Sequence, residues 1–262
     1  MNTIFVIAKG TFGEAMRRRI LNVFLFVALA LMIMAVAFSS FTPRNELDLI
    51  KSMGLGVIQI SGVFISVILG INLIPSEIER RTIYTILSKP VQRYEFLTGK
   101  FLGGLMTVLA NIGLMSLVFI ILLLIKERAF DKDVVLVLGG EMMIAFQLML
   151  VSAMAVMFSV LVSPFVNFFL SFSIYFFGSI TSLWSDMATS LGHLALLNQY
   201  LFRVLGWIVP NFENYNVQNP IIHPDTHIQN ETTYTIYCIT YAVLYSLIMM
   251  FLAIIQFNRK EV

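Results

Sequence analysis

The sequence predicts an all-α integral membrane protein with six transmembrane helices. Three observations carry that prediction. Hydrophobic residues make up 58% of the 262 residues, mean hydropathy is +0.87, and only 12% of residues are charged, about half the usual share of a soluble domain. Several apolar stretches exceed the roughly 20 residues needed to cross a hydrocarbon core about 30 Å thick. The basic residues divide unevenly between the two sides that these stretches define. The chain reads as one membrane domain, residues 1–262, with no room for a soluble catalytic or nucleotide-binding domain.

Residues 1–19 open the chain as an interfacial helix. Ile4, Phe5, Ala8, Phe12, Ala15 and Met16 recur on one helical face, with Lys9, Thr11 and Glu14 elsewhere. Arg17, Arg18 and Arg19 then halt the chain before the first span, 20–41. Ala35-Val36-Ala37 has the small-x-small form of a cleavage site, but the preceding region is too long and too structured for a signal peptide. The second span is expected at 53–74, the third at 101–125, and the fourth at 142–162, which places Glu141 near the outer headgroups. Ser163-Pro164 makes a tight turn into the fifth span, 165–184. Residues 187–209 are apolar but carry His193, Asn198, Gln199 and Arg203. They read as a helix lying on or dipping into the outer face, within an extracytoplasmic region 185–232. The sixth span is expected at 233–257.

Parity supports this count. With six spans the N-terminus, the polar stretch 75–100 and the C-terminal Arg259 and Lys260 share one side. That side then holds 11 of the 17 Lys and Arg, among them Arg17, Arg18, Arg19, Arg80, Arg81 and Arg93, which makes it the cytoplasmic one. The single cysteine, Cys238, lies in an apolar run and excludes an intramolecular disulfide.

The stretch 75–100 is the longest polar passage in the first half, and five of its 26 residues are Lys or Arg. Pro75 and Pro90 bracket a short helix, Ser76 to Lys89, with Ser76 as N-cap and Glu77 and Glu79 in its first turn. Ile78, Ile83, Ile86 and Leu87 fall on one half of it and Arg80 and Arg81 on the other. Two readings fit: a solvated basic loop that orients its flanking spans, or a docking helix that takes force from a cytoplasmic partner.

Motifs for catalysis are lacking in the sequence. Thr98-Gly99-Lys100 has no upstream glycine at the spacing of a phosphate-binding loop, and neither Gly-x-Ser-x-Gly nor His-Glu-x-x-His occurs. His223, Asp225 and His227 are the candidate metal ligands, though Pro224 disrupts a helical i,i+4 pair, and an ordinary loop explains them better. Tyr234, Tyr237, Tyr241 and Tyr245 line one face of the last span, as an aromatic belt or as the wall of a polar path. Tyr237, Tyr241 and Tyr245 with Asn111 and Gln59 are the candidate path residues. Gln59, Asn72, Asn111 and Gln147 are uncharged, which argues against a proton relay.

Glu77-x-Glu79-Arg80-Arg81-Thr82-Ile83, then Leu87-Ser88-Lys89-Pro90-x-x-Arg93 and Gly99-Lys100-Phe101-x-Gly103, resemble the permease subunits of ABC-2 type exporters. Within that group the chain is most similar to permeases associated with multicopper-enzyme maturation, the branch of the nitrous-oxide reductase assembly permease. Pro210-Asn211-Phe212-Glu213-Asn214-Tyr215-Asn216 also resembles a recurrent element of such permeases. The resemblance implies a pair of permeases, a second copy or a paralogue, in the inner membrane. Each grips a cytoplasmic ATPase, which binds ATP and Mg, through Glu77, Ile78, Glu79, Arg80, Arg81, Ile83, Ile86 and Leu87. It implies no cofactor on this chain, no nucleic acid, and export of a substrate or force transmission to an extracytoplasmic accessory protein. The alternative is an intramembrane enzyme of the CAAX-protease type. Those enzymes set Glu-Glu-x-x-x-Arg within a span and histidines in other spans, whereas here the acids lie in a basic loop and the histidines outside the spans.

Overall fold

The computed structural model describes residues 3–39, 46–79, 91–127, 132–181, 209–216 and 231–259, and all regular structure among them is helical. The helices are α1 (Thr3–Met16), α2 (Arg19–Ser39), α3 (Glu46–Leu73), α4 (Pro75–Glu79), α5 (Arg93–Glu127), α6 (Lys132–Leu161), α7 (Pro164–Gly178) and α8 (Glu231–Arg259), with a 3₁₀ turn at Glu213–Tyr215. Five of these, α2, α3, α5, α6 and α8, are long and apolar enough to cross a membrane.

The bundle is built around α3 and α6. In each, 67% of the most apolar window is buried, against 22%, 33% and 28% in α2, α5 and α8. A helix apolar all round with most of its surface covered is a core helix, while the outer three present their free faces to lipid. Exposed Phe26, Ile33, Leu247 and Phe251 mark those lipid faces. α3 touches α2, α5, α6 and α7, and α8 packs along α6. Between lipid-soluble helices, close backbone approach replaces the hydrophobic effect as the source of adhesion. Gly70 provides one such approach, because a Cβ there would overlap the Ala155 side chain.

Each end of the bundle has its own seam. At one end the C-terminal turns of α3, α6 and α8 meet the N-terminal turns of α5, and Leu73, Ile74, Phe96, Leu97, Val160 and Phe257 form a common core. At the other end Glu46 pairs with Lys126 and accepts a hydrogen bond from Ser39 Oγ at 3.2 Å.

Several sequence expectations need correction. The second span was expected from residue 53, but α3 starts at Glu46, with Glu46 and Asp48 in its first turn and Lys51 only 5% exposed. The third was expected from 101, but α5 starts at Arg93. The fourth was expected from 142, but α6 starts at Lys132. In each case the helix outruns its apolar stretch, because charged residues at helix ends leave the backbone ladder intact. Glu141 therefore lies within α6 rather than ahead of it; it is 5% exposed and accepts a hydrogen bond from Ser116 Oγ of α5. The fifth span was expected to reach residue 184, but α7 ends at Gly178. Its 15 residues cover about 22 Å, short of a hydrocarbon core about 30 Å thick.

The helix expected from Ser76 starts one residue earlier. Pro75 opens α4, where its missing N–H is no loss, and Ser76 Oγ donates to the Asn72 carbonyl instead of capping. Arg80, Arg81, Ile83, Ile86 and Leu87 lie outside the described residues, as do His193, His223, Asp225, His227 and the helix expected at 187–209.

Candidate functional site

Two assemblies stand out, one at each end of the bundle. The first is formed on the opening turns of α5. Lys100 is 6% exposed and forms an ion pair with Glu77 of α4. Lys100 Nζ also lies 5.8 Å from the centroid of the Phe96 ring. Breaking a buried pair of this kind leaves an uncompensated charge, at a cost of about 3–5 kcal/mol. α4 is thereby fixed to α5 at Glu77. Ile78 and Glu79 follow in the same helix.

α1 lies along the same part of α5. Gly99 and Gly103, four residues apart, form the contact, and Ala8, Thr11 and Ala15 are the buried residues of α1. This corrects the reading of α1 by hydrophobic periodicity. Thr11 belongs to the buried face, with its hydroxyl satisfied by the Ile7 carbonyl at 2.9 Å, while Phe5 is 54% exposed. Small residues, rather than the most apolar ones, choose the face that packs on another helix.

The second assembly surrounds Pro210–Asn216. Phe212 and Tyr215 are 1% and 0% exposed, so this irregular segment is inserted between helices. The Phe212 N–H donates to the Gly178 carbonyl at 2.9 Å, at the end of α7. Asn211 N–H donates to Tyr241 Oη at 3.1 Å, Tyr215 Oη donates to the Cys238 carbonyl at 2.7 Å, and Tyr234 Oη donates to the Asn214 carbonyl at 2.8 Å. Thr181 Oγ1 donates to Glu213 Oε2 at 2.7 Å and lies 3.0 Å from Asn211 Oδ1, which accepts from the Glu213 N–H at 3.0 Å. Non-helical backbone at membrane depth is tolerated where protein groups satisfy it, and these bonds do so.

The candidate path residues divide accordingly. Gln59 Nε2 donates to Gln147 Oε1 at 3.0 Å, and Gln147 Nε2 donates to the Phe212 carbonyl at 3.4 Å. Gln59 thus reaches the segment that Tyr241 holds from α8. The rings of Tyr237, Tyr241 and Tyr245 run in series, with centroids 6.3 Å and 5.7 Å apart. Tyr237 is 56% exposed and points away from the bundle. Asn111 is not brought to this group by any hydrogen bond; it donates to the Thr107 carbonyl of its own helix at 2.8 Å. Among the described residues no group of three or more His, Cys, Asp or Glu is placed to hold a metal ion.

A family model for the ABC-2 family transporter proteins matches residues 5–262. The chain belongs to the ABC-2 transporter family. No individual curated protein matches it significantly. As an ABC-2 permease it is a multi-pass component of transmembrane transport, and membership implies a cytoplasmic ATPase partner and usually dimerisation. Sequence reasoning identified Glu77 but missed its partner, because Lys100 was read as the end of a polar loop. Arg93 was also missed, although it sits in the Pro-x-x-Arg element. Asn167 of α7 was missed too; it is fully buried and donates to the Ala155 carbonyl at 2.9 Å. Its signal was an Asn with a Ser four residues later, and Ser171 Oγ donates to Asn167 Oδ1 at 2.9 Å.

Proposed function

We propose that this chain is the membrane-spanning subunit of an ATP-binding cassette exporter of the multicopper-enzyme-maturation branch, driven by a separate ATPase that contacts residues 75–100. The observation that carries this reading is the buried Glu77–Lys100 pair, since it joins the coupling stretch rigidly to a membrane helix in a chain matched to the family along nearly its whole length. Glu77 would anchor the docking surface to α5 through Lys100, Ile78 and Glu79 would begin it, and Arg80, Arg81, Ile83, Ile86 and Leu87 would continue it. The end of the bundle that carries α1, α4 and the last turn of α8 would face the cytoplasm, with both termini there and the chain in the inner membrane.

In this reading α7 is the inner part of a sixth crossing, and Pro210–Asn216 fills the space beyond its C-terminal end. Support comes from the Phe212 bond to Gly178 and from the level at which Gln147 meets Phe212, midway along α6. Gln59, Tyr241 and Tyr245 would border the path of the exported molecule, Asn111 would act through packing of α5, and exposed Tyr237 would be covered by a second permease copy or paralogue. An extracytoplasmic accessory protein would dock above the inserted segment.

The purified chain in lipid is expected to show no ATP turnover above that of empty vesicles, and to support turnover once its ATPase partner is added. Robust hydrolysis by the chain alone would overturn the proposal.

A further inference from the structure

Three helices, α1, α4 and α8, meet on the first three turns of α5, and one line of contacts runs from α4 through α5 to α8. Glu77 of α4 pairs with Lys100, and Lys100 lies 5.8 Å from the Phe96 ring. Phe96 stacks on Phe257 of α8, with centroids 6.1 Å apart and planes 21° from parallel. The Arg93 guanidinium lies 5.9 Å from the Phe257 ring centroid on its other contact. Arg93 Nη1 donates to the carbonyls of Phe257 and Asn258 at 3.0 Å and 3.3 Å. These are last-turn carbonyls, which have no N–H partner within their own helix and favour a cation. Phe96 and Phe257 are 0% and 1% exposed, so the middle of the line is enclosed by protein while Arg93 at its end is partly exposed. α1 joins the same turns through Gly99 and Gly103.

We propose that Arg93 and Lys100 are positioning residues that hold the end of α8 and α4, respectively, onto α5 beside the α1 contact of Gly99 and Gly103, so that these helices move as one body and the last membrane helix is a direct output of the coupling stretch. The source of the displacement rests on the reading of 75–100 as the ATPase contact. The lock does not, and it is testable on the permease alone. Aligned π-faces and a buried ion pair resist lateral slip, since moving α4 away would strand Glu77 or Lys100 without its partner. Without Arg93 the end of α8 would keep the ring stack and its place in the shared apolar core, but would lose the polar tie to its last carbonyls.

Spin labels at Phe5→Cys on α1 and Ile255→Cys on α8, both at exposed positions in a Cys238→Ser background, report whether the body holds in lipid nanodiscs. The wild-type arrangement gives one narrow distance distribution. Arg93→Ala and Lys100→Met each widen it about twofold, and the exchanged pair Glu77→Lys/Lys100→Glu narrows it again, which loss of general packing would not do. An unchanged width in either single variant overturns the lock, and so does an exchanged pair that stays as broad as Lys100→Met. Should Lys100→Met fail to fold, the partly exposed Arg93 still decides the matter through Arg93→Ala.

Discussion

Gly103→Leu is expected to detach α1 from α5. A Cβ at Gly103 would stand 2.5 Å from the Ala8 carbonyl oxygen and 2.6 Å from Thr11 Cβ. The first of these is backbone, which cannot turn aside as a flexible side chain can. At Gly99 the same construction meets Ile7 Cβ at 2.8 Å and the Ile4 carbonyl oxygen at 3.0 Å, so the two helices are held at minimum separation over a full turn. Inserting a side chain into such a contact costs about 1–3 kcal/mol, occasionally more, and each ~1.4 kcal/mol shifts a population tenfold. Ala15→Cys in a Cys238→Ser background reports the outcome, because Ala15 is 3% exposed in the docked helix. Its reaction with a maleimide should be slow in that background and about ten- to a hundredfold faster when Gly103→Leu is added. Equal rates would mean that α1 does not depend on this contact.

Gly178→Val should release the inserted segment at the opposite end of the bundle. A Cβ at Gly178 would overlap the Pro210 carbonyl oxygen and come within 2.7 Å of the Phe212 ring. Phe212 and Tyr215 enter the bundle together, and the Tyr215 hydroxyl is bonded to the Cys238 carbonyl. Displacing the first therefore loosens the second. The native cysteine is the reporter, since Cys238 is 0% exposed and its thiol faces the Asn214 carbonyl at 3.7 Å. In the wild type it should resist a small methanethiosulfonate reagent. In Gly178→Val the rate should rise by about one to two orders of magnitude, on the same overpacking cost. A Cys238 that stays protected would show that the segment seats independently of α7.

Much of this architecture was legible because a membrane interior filters residue types strongly. The apolar runs found α2, α3, α5, α6 and α8 as candidate spans, since about 20 predominantly apolar residues are needed wherever a helix crosses. Helix ends were less legible, for a physical reason. Hydropathy marks where lipid begins, whereas Glu46, Arg93 and Lys132 lie in helices that continue past that boundary. Glu141 fell just ahead of the fourth span because that span was assigned to the last 20 or so residues of a long apolar run, whereas α6 runs through it and Ser116 on the neighbouring helix supplies one hydrogen bond.

Tertiary choice explains the other gaps. Past Gly178 the residues are mixed, Ser179, Ile180, Thr181 and Ser182, and the hydropathy of the wider run outweighed the glycine as a helix end; the stop coincides with a segment more than thirty residues later that packs on Gly178. The Gly99-x-x-x-Gly103 spacing was visible in the sequence, yet nothing local named α1 as its partner. Likewise the Pro-x-x-Arg element was recognised as a pattern before the end of α8 explained what Arg93 holds.

If residues 75–100 take up force from a separate ATPase, that ATPase should be retained on the detergent-solubilised permease through this stretch. A buried Ile or Leu contributes about 1.5–3 kcal/mol, whereas an exposed ion pair contributes about 0–1 kcal/mol. Ile83→Ala and Leu87→Ala should therefore lose the ATPase on co-purification, Arg80→Ala should largely keep it, and all three should insert in the membrane at wild-type levels. Apolar variants that retain their ATPase as firmly as the wild type would contradict the claim.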